Sequence, residues 1–136
     1  MLRYEAHSTA PPEAVWPLLA QPALWHRWAP QLRGAWGLGE PEVVLGARGA
    51  ARLLGALPVP VQITAKEPGR AWAWRVSGVV DMDHRVEPRP GGGCAIIVTM
   101  AALTPAEAAL RVTYGPLVQI LVRRLARVAE GRAAAG

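Results

Sequence analysis

Several residue types that build common catalytic and metal sites are scarce in this 136-residue chain. Cys94 is the only cysteine, which excludes an internal disulfide and a cysteine-based metal site. The three histidines stand far apart, at positions 7, 26 and 84. No motif for nucleophilic catalysis, for a phosphate-binding loop or for dinucleotide binding occurs. We therefore expect neither a metal ion nor a cofactor.

Long apolar runs and lysine are scarce as well. No run approaches the roughly 20 apolar residues of a membrane span, and the first residues lack the basic and apolar regions of a signal peptide. A cytoplasmic protein without stable membrane insertion is the expectation. Of 15 basic residues only Lys66 is a lysine, and the net charge is +5. The arginines are spread along the chain without a recognisable nucleic-acid module, so we predict no nucleic-acid partner.

Phenylalanine is absent, whereas six tryptophans stand among many alanines, valines and leucines. Apolar residues make up 51% of the chain, which suits one globular domain over residues 1–136 without a linker. Very large and very small side chains can either interdigitate completely or leave a hollow lined by indoles. Composition does not choose between these two arrangements.

The first 30 residues predict a strand and two short helices. Residues 2–7 alternate between apolar and polar, as a half-buried strand does. A short helix follows over "STAPPEAVWPLLAQP", with Ser8 or Thr9 as its cap and Pro22 at its end. A second short helix, "ALWHRWA", ends at Pro30.

The middle of the chain, between residues 31 and 103, predicts an antiparallel meander. Glycine and proline recur there at short spacing, around runs rich in β-favouring residues. Those runs are "VPVQITAK", "AWAWRVS", "VVDMDHRVEP" and "CAIIVTMAAL". The tetrapeptide "PGGG" between the last two predicts a hairpin turn.

From Thr104 to about Glu130 the pattern is that of one long helix, with Gly131 as its end and a kink expected at Gly115-Pro116. One face of this helix is apolar and should pack on the sheet. Its members are Leu110, Tyr114, Leu117, Leu121, Leu125 and Val128. The opposite face is polar and carries Gln119, Arg123, Arg127 and Glu130.

This order of elements resembles the START-like helix-grip superfamily (SRPBCC), which includes polyketide cyclase/dehydrase-like proteins and lipid-transfer domains. The segments that carry the similarity are "STAPPEAVWPLLAQPALWHRWAPQL", "VQITAKEPGRAWAW", "DHRVEPRPGGGCAIIVTM" and "LVRRLARVAEG". The resemblance implies an α+β helix-grip fold. In that fold a curved seven-stranded antiparallel sheet and two short N-terminal helices accompany a long C-terminal helix packed across the sheet. A cavity between sheet and helix commonly holds lipids, polyketides or other hydrophobic molecules.

Strand alternation divides the acidic and aromatic stretch "AWAWRVSGVVDMDHRV" into two layers. The inward layer is predicted to contain Trp72, Trp74, Val76, Val80, Met82, His84 and Val86. The outward layer is predicted to contain Arg75, Asp81, Asp83 and Arg85, whose opposite charges can pair across strands. This division leaves no catalytic carboxylate and splits any metal-ligand cluster between two faces.

His84 is the inward titratable group of this pattern, and three roles are open to it. It can be a neutral core histidine, a polar anchor for a ligand, or a general acid or base, since burial lowers the pKa of an imidazole. Tyr114, on the apolar face of the helix, needs a partner for its hydroxyl if it is buried. The two residues could position or protonate a carbonyl.

The other tryptophans are interpreted mainly as packing residues. Trp25 and Trp28 are three positions apart, so they share a helical face over the cavity or at its mouth. Trp16 and Trp36 are expected in the core. Arg52 is expected to be exposed.

Three functions remain possible. The first is binding of a small hydrophobic or amphipathic ligand, such as a lipid, polyketide or isoprenoid-like molecule; a cavity with room for only a few waters would argue against it. The second is a cyclase- or dehydratase-like enzyme that uses His84 and Tyr114. The third is a protein- or membrane-contact module that uses the arginines of the last helix. The residues predicted to line the ligand site are Trp28, Trp72, Trp74, Met82, His84, Tyr114 and Leu117.

Overall fold

The computed structural model describes residues 1–30, 32, 34–52 and 58–135 of the protein. The strands are β1 (Leu2–Ser8), β2 (Ala35–Trp36), β3 (Arg48–Ala51), β4 (Val59–Glu67), β5 (Ala71–Val76), β6 (Val80–Pro88) and β7 (Cys94–Ala101). The helices are α1 (Pro12–Ala20), a 3₁₀ helix (Pro22–Arg27), α2 (Thr104–Val112) and α3 (Gly115–Ala135).

All seven strands form one antiparallel sheet in the order β1-β7-β6-β5-β4-β3-β2. Each strand from β3 to β6 pairs antiparallel with the next strand in the chain, and β7 also pairs with β1 in the register Leu2↔Met100. The "PGGG" segment is the β6–β7 turn, as predicted. Gly93 has a φ of +74°, and a Cβ there would lie 2.3 Å from the Ser8 carbonyl oxygen, so this turn needs glycine. The predicted α+β helix-grip architecture is confirmed.

The C-terminal helical region is broken in two rather than kinked. α2 ends at Val112 and α3 begins at Gly115, because Pro116 has no N–H to donate to the Val112 carbonyl. Proline is tolerated in the first turn of a new helix, so α3 begins there. α3 then continues to Ala135, and the expectation that Gly131 ends it is wrong. No helix in the described part of the chain is long and apolar enough to cross a lipid bilayer.

The face that α3 buries is rotated from the predicted one. Its buried residues are Gly115, Val118, Leu121, Val122, Leu125, Ala126 and Ala129. Leu117 and Val128 are only half-buried. Gln119 and Glu130 were predicted to face away from the sheet, but both form hydrogen bonds at β1. Gln119 Nε2 donates to the carbonyl of Glu5, within β1 (3.1 Å). Glu130 Oε2 accepts from the amide of Thr9, the residue after β1 (2.9 Å). α3 lies alongside β1, so polar side chains on its flank find backbone partners there.

Two further expectations for local structure are wrong. Ser8 does not cap α1; its hydroxyl is buried and donates to the Ala126 carbonyl (3.0 Å), which ties β1 to α3. Trp36 is not in the core. It is 48% exposed, because β2 is a two-residue strand at the edge of the sheet, and the Arg52 guanidinium lies 5.7 Å from its ring centre. Trp16 is buried, as expected.

Candidate functional site

The outer layer of β5 and β6 is a row of surface ion pairs. Arg75 Nε lies 2.8 Å from Asp81 Oδ1, and Arg85 Nε lies 2.8 Å from Asp83 Oδ2. The register places Arg75 directly across from Asp81, which explains the first pair. Both aspartates therefore form ion pairs with arginines on the face of the sheet away from the core, as the alternation predicted.

The inner layer of the same strands is a cluster of aromatic rings. Trp72 and His84 are cross-strand partners, and their rings stack with centres 3.9 Å apart and planes 14° apart. Trp25, from the 3₁₀ helix, stacks on Trp72 at 5.5 Å. Trp74 stands edge-on to all three rings. Edge-to-face and offset stacking are favourable aromatic geometries, so the four rings form one rigid wall.

The indole N–H groups of three tryptophans are satisfied at the end of α1. Pro22 cannot donate to the Leu18 carbonyl four residues back, and this carbonyl accepts instead from Trp28 Nε1 at 2.8 Å. The Leu19 carbonyl accepts from both Trp25 Nε1 (2.9 Å) and Trp72 Nε1 (3.0 Å).

Trp74 Nε1 lies 3.5 Å from the sulfur of its cross-strand partner Met82. The indole N–H groups of the three tryptophans in the wall, and that of Trp28, therefore all have partners within the protein.

His84 is buried, with 6% of its surface exposed, and its Nδ1 lies 3.3 Å from the Trp72 carbonyl oxygen. Burial lowers the pKa of His84 from 6.5 to about 4, while the Trp72 carbonyl and the Asp83 carboxylate oppose this effect more weakly. His84 is therefore neutral at neutral pH. A neutral imidazole can accept a proton or a hydrogen bond.

A cavity lies between this aromatic wall, the segment after the 3₁₀ helix, and α3. Its volume is about 60 Å³. It is lined by Trp25, Trp28, Ala29, Leu32, Trp72, Trp74, Met82, His84, Val98, Tyr114, Val118, Leu121 and Val122. At about 30 Å³ per water, that space holds about two water molecules. This is the small size that was expected to argue against ligand binding, so an organic ligand enters only if the walls separate.

Six of the seven sequence-predicted ligand residues lie together on this cavity, and Leu117 does not. Leu117 is displaced because the buried face of α3 centres on Val118 and Val122. Sequence reasoning also missed Val98, although it is the cross-strand partner of His84. β7 is apolar on both faces, so alternation gave no signal there, and only the register identifies its inward residues.

Other reactive groups do not form a site. Within the described ranges, no three residues among His, Cys, Asp and Glu are grouped so that they could hold a metal ion. Cys94 is buried, and burial raises the pKa of its thiol, which keeps it in the unreactive protonated form.

Comparisons with known proteins agree with this geometry. A family model described as polyketide cyclase / dehydrase and lipid transport matches residues 2–130. A search of curated proteins gives no significant match. The crystal structure of a Nitrosomonas europaea protein matches with a TM-score of 0.74 at 14% identity, over 96% of this chain and 94% of that one.

Two further solved structures show the same fold. The solution structure of a Thermobifida fusca protein has a TM-score of 0.71 at 17% identity, over 93% of each chain. The crystal structure of Ara h 8.0201 has a TM-score of 0.64 at 17% identity, over 99% of this chain and 97% of that one. At these identities the structural likenesses establish the fold alone. Because the family model spans nearly the whole sequence, the chain belongs to the polyketide cyclase / dehydrase and lipid transport family of the START-like helix-grip superfamily.

Proposed function

We propose that this protein binds a compact hydrophobic or amphipathic ligand between the sheet and α3. The observation that carries the proposal is a cavity whose walls are aromatic and aliphatic side chains, with His84 and Tyr114 as its polar lining residues. Ligand sites in proteins combine a mostly apolar wall with a small number of placed polar groups. The family's association with lipid transport and polyketide chemistry supports the same class of ligand.

The cavity volume restricts the size of that ligand. About 60 Å³ is well below the roughly 150 Å³ of an apolar cavity that holds benzene, so even a small ring compound requires the segment that carries Trp25 and Trp28 to move away from α3. A longer lipid, polyketide or isoprenoid requires a larger movement. Trp25 and Trp28 are held there by single indole hydrogen bonds to the end of α1, together with ring packing. Compact probes should therefore bind more readily than chain-like ones.

Native mass spectrometry of the purified protein tests for a retained ligand. Calorimetric titration with phenol, indole, 1-naphthol and decanoic acid then tests the size limit. Leu121→Phe places extra volume at the cavity wall, while Ile120→Phe adds the same ring at a neighbouring position that is 59% exposed. We expect at least about tenfold weaker binding in the first variant, from loss of most of the apolar contact, and unchanged binding in the second. Equal binding by both variants, or no binding of any probe, would contradict the proposal.

A second candidate is a proton-transfer enzyme of the cyclase or dehydratase kind. It is favoured by one observation: a neutral buried imidazole and the Tyr114 side chain line the same cavity. His84 would act there as the base. His84→Phe should then abolish turnover of a polyketide substrate while circular dichroism shows a folded protein, and unchanged turnover would dispose of this assignment.

A further inference from the structure

The proton of neutral His84 can be assigned from its hydrogen bond. The partner of Nδ1 is the Trp72 carbonyl oxygen, which can only accept. Nδ1 must therefore carry the hydrogen, and Nε2 carries the free lone pair. Nε2 lies at the distal end of the imidazole, and His84 is one of the residues that line the cavity.

This lone pair has no donor within the described residues. The rings of Trp72 and Trp74 pack against the His84 ring, but their indole N–H groups are bonded to the Leu19 carbonyl and to the Met82 sulfur. His84 is 94% buried and lines the cavity, so its acceptor is withdrawn from bulk water. A buried acceptor without a donor is unfavourable, and a ligand that supplies the donor removes that cost.

We propose that His84 Nε2 accepts a hydrogen bond from the bound ligand, so that the cavity selects compact hydrophobic molecules carrying a hydroxyl or N–H group. This inference rests on the proposed binding function. Ketones, ethers and carboxylate anions present only acceptors and gain nothing from this atom. Flat rings are favoured further, because the wall beside Nε2 is itself built of stacked rings.

Phenol and toluene test the inference, since they have nearly the same shape and differ in one donor. Their dissociation constants are measured by calorimetry at neutral pH for the wild type and for His84→Phe, which keeps a flat ring beside Trp72. We expect the ratio of the two constants to shift by up to about tenfold in favour of toluene in the variant, the effect of one lost hydrogen bond. Thermal unfolding confirms that each protein is folded.

A second measurement needs no variant. The ¹⁵N chemical shift of His84 Nε2 in the wild type should change on addition of phenol and stay constant on addition of toluene. If both probes bind but neither the ratio nor the shift distinguishes them, the donor inference is wrong while ligand binding stands. If neither probe binds the wild type, the binding function itself is refuted, and the inference falls with it.

Discussion

Acid should destabilise this protein through His84 in a way that one substitution removes. In the unfolded chain the imidazole has its ordinary pKa of 6.5, whereas burial lowers the pKa of His84 in the folded protein to about 4. Between these values the unfolded state binds a proton that the folded state does not. The free energy of unfolding therefore falls as the pH is lowered from about 6.5 to about 4, and no further loss from this group occurs below.

The size of the effect follows from the two pKa values. They differ by about 2.5, and each pKa unit corresponds to about 1.4 kcal/mol, so the full loss is about 3 kcal/mol. Between about pH 7.5 and about pH 4.5 the loss is about 2.5 kcal/mol, since the folded state begins to take up the proton near the lower limit. That is a large fraction of the stability of an ordinary small domain, about 5–15 kcal/mol.

Urea unfolding of the wild type and of His84→Phe, followed by tryptophan fluorescence at several pH values in this range, measures the loss. Glu5 and Glu107 also have lowered pKa values and lose stabilising ionisation in acid, but they are present in both proteins. The difference between the two slopes therefore isolates His84. A constant gap in stability between the proteins from about pH 7.5 to about pH 4.5 would refute the reasoning and would mean that water in the cavity solvates the imidazole.

Three further predictions concern stability away from the cavity. Glu42→Ala removes the acceptor that lies 2.8 Å from Trp16 Nε1, together with the ion pair to Lys66 at 3.0 Å, and should lower the free energy of unfolding by about 1–2 kcal/mol in urea; an unchanged value would show that neither contact contributes. Gly131→Ala meets no atom within 4 Å inside α3 and should raise the free energy of unfolding by up to about 1 kcal/mol, which a thermal melt would detect as a higher midpoint. Gly115→Ala should do the opposite, because its Cβ would lie 2.0 Å from Tyr4 Oη, and a raised midpoint there would contradict the close packing of α3 on β1.

The sheet and its two layers could be predicted because antiparallel strands with one solvated face alternate strictly in sequence. Arg75, Asp81 and Asp83 were placed correctly by parity alone. Parity fails on β7, where both faces are buried. Ile97 lies on the outer side yet is only 4% exposed, and its cross-strand neighbours Glu5 and Arg85 are long charged side chains that can cover it.

The helical contacts could not be predicted because they depend on tertiary partners that a periodicity does not contain. Gln119 and Glu130 are polar, so the pattern assigned them to solvent, but each bonds to the backbone beside α3. Ser8 has the sequence context of a helix cap, but its hydroxyl donates to the Ala126 carbonyl, where β1 contacts α3. The buried face of α3 lies about one residue from the predicted face, so Leu117 was wrongly placed in it. This shift also depends on the tertiary contacts of α3, which the periodicity does not contain.

The end of α1 explains why the walls of this cavity offer so few polar atoms. Pro22 stops the helix and leaves the carbonyls of Leu18 and Leu19 without helical donors. Three indole N–H groups fill those positions, which locks the tryptophans and at the same time removes their donors from the cavity. A tryptophan-rich pocket would otherwise offer donors to any ligand carbonyl. Here the tryptophans supply shape and apolar surface, and under the proposed function any polar selection of a ligand would depend on Tyr114 and His84, the polar residues of the lining. A substitution of Pro22 that lets α1 continue should therefore alter ligand choice even though the residue does not line the cavity.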